Sequence, residues 1–139
     1  MKKKMIKQER CENNDTVNFV YHYSYDSYGN KISCISLLYG QPSEDYYYKY
    51  DTRGNIIEEK LYSPNDEGKQ EINTIWEYFY DDDNLKIKEK ASSLASYLTT
   101  KKVSIYSFEY KKENHLPLEK IEKKNNTFEK KTKYKYTFY

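Results

Sequence analysis

The sequence predicts an all-β protein, an antiparallel meander of repeated β-hairpins, on three observations. A stretch of the form YYYKYDTRGNII, at 46–57, recurs along the chain. Each copy carries Tyr-x-Tyr before a turn and alternating or β-branched residues after it, which is strand period and strand propensity. Clusters rich in Gly, Pro, Asn and Ser punctuate the intervals between copies.

Taken in order, the copies are YHYSYDSYGNKI (21–32), YYYKYDTRGNII (46–57), WEYFYDDDNLKI (76–87) and YSFEYKKENHLP (106–117), with KYKYTFY near the C-terminus as a fifth Tyr-x-Tyr lacking a turn. Asp26 and Asp51 stand where the first residue of a type I turn favours a side chain that bonds the backbone ahead. Three residues on, Gly29, Gly54, Asn84 and Asn114 hold a place that requires positive φ. A type I turn followed by a left-handed residue and a bulge is a standard hairpin loop, so each copy reads as a hairpin.

GQPSE (40–44), SPNDEG (63–68) and KKNNT (123–127) read as loops joining one hairpin to the next, while ASSLASYLTT (91–100) fits either a longer strand or a helical turn lined by Leu94, Tyr97 and Leu98. About ten strands follow, near 3–11, 17–25, 30–39, 45–51, 55–62, 71–81, 85–91, 102–110, 115–123 and 128–138. Short turns at both ends of the strands make neighbours of consecutive strands. Lysines at 2–4 and 7, and at 130, 131, 133 and 135, fall on the first and last strands and would protect open edges. The expected outcome is one domain over 1–139 with a strongly curved sheet, a sandwich or a barrel-like closure.

Composition narrows the core. Leu, Ile, Val and Phe supply only 26 of 139 residues, whereas Tyr alone supplies 18. Net charge is only +2 and aromatics reach 17%, which separates the chain from disordered sequences. Tyrosine must therefore provide much of the buried area, with its hydroxyl kept at the rim. No segment has the length and apolarity of a membrane span, and MKKKMIKQER lacks the apolar run of a secretory signal. Two cysteines make no disulfide framework, so the expectation is a cytoplasmic protein with reduced thiols.

The first two copies, with Tyr23, Tyr25, Asp26, Gly29 and Asn30 and again Tyr48, Tyr50, Asp51, Gly54 and Asn55, resemble the YD repeat of RHS proteins and related bacterial toxin shells. In that family the repeats form long strands that wrap into a hollow shell. This chain is too short for a shell, so the resemblance implies hairpins and an association with toxins.

Candidate chemistry is sparse. His22 and His115 have no nucleophile within the repeat pattern and read as structural. Cys34 would need a histidine or a helix end beside it to be activated. Cys11 and Cys34 lie on strands that flank the strand at 17–25, roughly 10 Å apart, too far for a disulfide. Asp81-Asp82-Asp83 falls on a turn and lacks the glycine and distal glutamate of a calcium loop. No catalytic residue, metal ligand or cofactor-binding residue is assigned, and an enzyme is not expected.

Tyr-x-Tyr puts both rings on one sheet face, whereas Tyr46-Tyr47-Tyr48 in extended backbone must send at least one ring to the other. Residues 41–90 carry 13 acidic and 7 basic side chains, a surface for a basic protein partner. The partner-binding set is Tyr46, Tyr47, Glu58, Glu59, Asp66, Glu67, Trp76, Asp82 and Asp83. The leading expectation is a non-catalytic protein-binding module, and the resemblance implies an immunity-type role, binding and neutralising a toxin or effector. A carbohydrate-binding surface using exposed Tyr and Trp76 is the alternative. A third reading has nucleic acid bound by the lysine-rich last strands with Tyr134, Tyr136 and Tyr139 stacking, against which the small net charge counts.

Overall fold

The computed structural model describes residues 4–11, 17–94 and 102–136. These residues form ten strands: β1 (Lys4–Cys11), β2 (Val17–Tyr25), β3 (Lys31–Leu38), β4 (Gln41–Tyr50), β5 (Ile56–Pro64), β6 (Gln70–Tyr80), β7 (Lys86–Ser93), β8 (Lys102–Glu113), β9 (Leu116–Lys124) and β10 (Thr127–Lys133). Their order in the sheet is their order in the sequence. The expected all-β antiparallel meander is thus the observed architecture. Tyr97, Leu98 and Tyr139 lie outside the described residues.

Four turns share one design. The Asp26 carbonyl accepts the Gly29 N–H (3.3 Å), and its side-chain Oδ1 accepts the N–H groups of Tyr28 and Asn30, each at 2.9 Å. Asp51 repeats this with Gly54, Arg53 and Asn55. Asn65 repeats it with Gly68, Glu67 and Lys69, so SPNDEG contains the same turn with amide in place of carboxylate. Asp81 makes the turn closed by Asn84 and Leu85. Gly29, Gly54 and Asn84 have φ of 88°, 84° and 66°, as the sequence requires. Register slips at Ser24/Tyr25 and Lys49/Tyr50 are the bulges that accompany such loops.

Three connections are tighter than expected. Tyr39-Gly40, Asn114-His115 and Asn125-Asn126 each have two successive positive φ values, the signature of a two-residue type I′ turn. GQPSE is therefore not a loop: Gln41–Glu44 belong to β4. KKNNT shrinks to the Asn pair, with Lys123 and Lys124 in β9 and Thr127 in β10. The fourth copy keeps its Asn at positive φ, but its strand runs on through Lys111 and Lys112 to Glu113. The last strand stops at Lys133, short of Tyr134 and Tyr136.

Close contacts gather into two units. One comprises the described residues of Met1–Trp76 and Ser92–Lys102, the other those of Glu77–Ala91 and Val103–Tyr139. Among the described residues, the buried apolar side chains are Cys34 in the first and Phe108 in the second. Every other apolar side chain whose burial is described is half-buried or exposed. What replaces a core in the first unit is a ladder of rings: Phe19, Tyr21 and Tyr23 stack in sequence at 6.0 and 6.2 Å. The Lys31 ammonium lies over the rings of Tyr23 (5.9 Å) and Tyr48 (4.6 Å). In the second unit Lys86 lies over Tyr78 and Phe108, each at 5.2 Å, and Lys120 covers Phe108 at 4.2 Å. Lysine stems and ammonium groups thus cover ring surface that a second layer covers in other folds.

The backbone at Asn84 gives a direct test of this turn design. Asn84→Val, a β-branched residue forced to positive φ, should lower stability by roughly 1–2 kcal/mol in urea denaturation. Asn84→Gly should stay close to wild type, and a valine variant as stable as wild type would refute the assignment.

Candidate functional site

Within the first unit the residues expected to bind a partner do not share one face. Cross-strand pairing sets Tyr47 opposite Lys60, Tyr48 opposite Glu59 and Lys49 opposite Glu58. Alternation then puts Tyr47 and Glu58 on one face of the first unit and Tyr46 and Glu59 on the other. Tyr47 is the face-switched ring that the triple tyrosine requires. It is 41% exposed and packs edge-on against Tyr62 at 5.4 Å. Tyr46 donates its hydroxyl to Glu44 Oε2 (3.0 Å). Burial, then this bonded carboxylate, pushes the Tyr46 phenol up to about 12.

Half of the six acids in that set pair with cations of the chain itself. Glu58 is bridged by Lys49 (2.9 Å) and Lys60 (3.1 Å), which hold its carboxyl below the usual range. Glu67 pairs with Lys69 at 2.8 Å, and beside it Asp66 is exposed on the same turn. Trp76 is half-buried in β6, and Asp82 is exposed on its turn. Asp83 binds the Lys112 ammonium and His115 Nδ1 (2.6 Å), and both push its carboxyl down. Half of the expected acidic surface is therefore a set of matched pairs.

Asp45 was expected at a strand end but sits inside β4, 8% exposed. There it accepts the Ser36 N–H (3.2 Å), while the Ser36 hydroxyl donates to the Glu44 carbonyl (2.6 Å). Ser36 falls where the β3–β4 register slips between Ile35 and Leu37, so the carboxylate satisfies a backbone donor that the bulge releases. Burial pushes the Asp45 carboxyl above its ordinary value, with the Ser36 N–H opposing.

His22 pairs with Ile35 and Cys34 with Tyr23, so the histidine and the thiol lie on opposite faces. Burial raises the Cys34 thiol pKa. Cys34 is a free cysteine.

Hollows lie beside the turns, two of them lined by described residues. The larger, about 740 Å³, opens between the first two Asp turns and is lined by Asp26, Tyr28, Tyr48, Tyr50, Thr52 and Arg53 among others. The smaller, about 400 Å³, lies in the second unit between Asn114, Leu116, Leu118, Tyr134 and Tyr136. In each, a Tyr-x-Tyr residue donates its hydroxyl to the outgoing strand of the preceding hairpin: Tyr50 to the Lys31 carbonyl (2.8 Å) and Tyr136 to the Pro117 carbonyl (2.8 Å). Tyr28 and Arg53 escaped the sequence reading. The available signal was that the two positions between Asp and Gly change from copy to copy while the frame around them is kept.

No family model matches the chain, and no curated protein matches it. Among solved structures it is similar to a DUF3836 family protein from Parabacteroides distasonis ATCC 8503, at 17% identity over 66% of this chain and 72% of that one, with a TM-score of 0.32. It is also similar to a DUF3836 family protein from Bacteroides vulgatus ATCC 8482, at 16% identity over 71% of this chain and 89% of that one, with a TM-score of 0.35. Likeness at this level assigns neither family nor function.

The raised Asp45 pKa has a defined pH signature. Its folded form holds a proton at a pH where the unfolded form has lost it, so its charged state weakens folding above the folded pKa and this penalty fades as pH falls through it. Asp45→Asn keeps an oxygen for the Ser36 N–H without the charge. It should be at least as stable as wild type at pH 7, the difference narrowing towards pH 4 in paired thermal melts. A clear loss at pH 7 would mean that the carboxylate's bond outweighs its burial.

Proposed function

We propose that this protein is a non-catalytic protein-binding module. The observation that carries the reading is the exposure of large rings on rigid strand and turn positions: Tyr28 is 89% exposed, Tyr39 67%, Phe128 60% and Tyr47 41%. Tyrosine beside arginine and matched charges is the composition of contact surfaces that proteins use for one another. The pairing of Glu58, Glu67 and Asp83 with the chain's own cations moves the emphasis from an acidic surface to these rings. The turn motif's resemblance to the repeats of toxin shells gives the reading its biological form, an immunity-type protein that occludes a toxin or effector.

The side chains near His115 favour a structural role for it. Its Nδ1 faces Asp83, whose other oxygen binds the Lys112 ammonium, so the ring joins an ion-pair cluster that ties the turn to β8 and the residues after it.

Affinity capture on the tagged chain from source-cell lysate, followed by reconstitution with the purified candidate, tests the proposal. One protein should bind at fixed stoichiometry and persist at moderate salt, and calorimetry should show the negative heat-capacity change of apolar burial. Binding confined to glycans or oligonucleotides would overturn it.

A further inference from the structure

Internal repetition allows one part of the molecule to be compared with another. In the second unit Tyr110 donates its hydroxyl to the Lys86 carbonyl (2.9 Å), as Tyr50 does to Lys31 in the first. Two residues beyond Tyr110, Lys112 reaches back over the preceding turn. Its ammonium lies 2.5 Å from Oδ2 of both Asp81 and Asp83. Two residues beyond Tyr50 stands Thr52, and the counterparts of Asp81 and Asp83 are Asp26 and Tyr28. Threonine is too short to span what lysine spans. Where the second unit is pinned by its own lysine, the first has the 740 Å³ cleft, with Asp26, Tyr28 and Thr52 all on its wall.

Asp26 is a carboxylate bound only by neutral donors. Oδ1 accepts the N–H groups of Tyr28 and Asn30, Oδ2 accepts the Asn30 side-chain amide (3.0 Å), and no ion pair to it occurs among the described residues. These bonds, the Asn30 amide first, hold the carboxyl below its ordinary range, so it is ionised at neutral pH. The two cations on the cleft wall are each matched: Lys49 to Glu58 at 2.9 Å, and Arg53 Nε to Asp51 at 3.7 Å. Lys31, on the next strand, is drawn over Tyr23 and Tyr48. Tyr28, two residues on, lines the same cleft, and a carboxylate with an aromatic ring is a pairing that holds an ammonium. Ile32 and Ile57 supply apolar wall for the stem behind it.

We infer that this cleft receives a lysine side chain of a partner protein, its ammonium held between Asp26 Oδ2 and the Tyr28 ring as Lys112 is held between Asp81 and Asp83. The inference rests on the protein-binding reading and names the chemistry of the partner's anchor.

The test titrates acetyl-Gly-Lys-Gly-amide into the full chain and follows backbone amide resonances, with the norleucine tripeptide, of similar stem but uncharged, as control. Saturable shifts should appear at Tyr28, Asn30, Thr52 and Arg53 with the lysine peptide and be absent with norleucine. Asp26→Asn keeps the turn, as Asn65 does in its own turn, and should weaken the response about fivefold, the scale of a half-exposed ion pair. Tyr28→Asp combined with Thr52→Lys rebuilds the pinned arrangement and should abolish the shifts without lowering Tm. Equal response to both peptides, no response, or an unchanged response in Asp26→Asn overturns the site. A captured protein that binds Asp26→Asn as tightly as wild type overturns the lysine site and leaves the binding module standing. Failure to find any protein partner removes both.

Discussion

The structure depends on one side-chain oxygen accepting two backbone N–H groups. In the turns begun by Asp26, Asp51 and Asn65, Oδ1 takes the donors two and four residues ahead, which leaves the third residue to complete the turn at positive φ. That geometry fixes loop length, and loop length fixes register. Register in turn decides that Tyr46 and Tyr48 share a face while Tyr47 takes the other. A short polar side chain at the strand end thus governs where large rings lie several residues away.

With so little apolar area fully buried, stability has to come from many small cross-strand terms. Each such pair contributes ~0.2–1 kcal/mol, and the sheet supplies them repeatedly as ring on ring, ammonium on ring and carboxylate between lysines. Lys31 and Lys86 occupy equivalent places in their copies and do the same work, covering two rings apiece. The edge follows the same logic: Lys131 and Lys133 on β10 both address Glu119 on β9, at 2.9 and 4.0 Å. Their charge then discourages another strand from pairing there.

Strands and turns were legible because their determinants are local. Asp26, Gly29 and Asn30 lie within one loop and need no tertiary partner to be understood. SPNDEG was read as a loop of no stated type because Asn65 replaces Asp, and Tyr39-Gly40 was missed because an aromatic residue seldom accepts a φ of 50°. The candidate site was less legible. Whether Glu58 and Glu59 face the same way depends on period two, which separates them, and whether they are free depends on Lys49 and Lys60 reaching one of them. Asp45 looked like a surface acid because its burial follows from a bulge on the neighbouring strand. Lys112 gave no local sign of its role because its partners lie about thirty residues earlier in the chain.

The tyrosine hydroxyl that joins a strand to the hairpin before it spans only 19 residues from Tyr50 to Lys31 and 24 from Tyr110 to Lys86. Connections of that reach make the chain a series of nearest-neighbour steps, with loop-closure cost paid in small instalments as each hairpin docks on its predecessor. Among the described residues, strands neighbour in the sheet those they follow in sequence. Gene duplication could add a pair of hairpins, and deletion could remove one, while the rule that joins neighbours stayed the same.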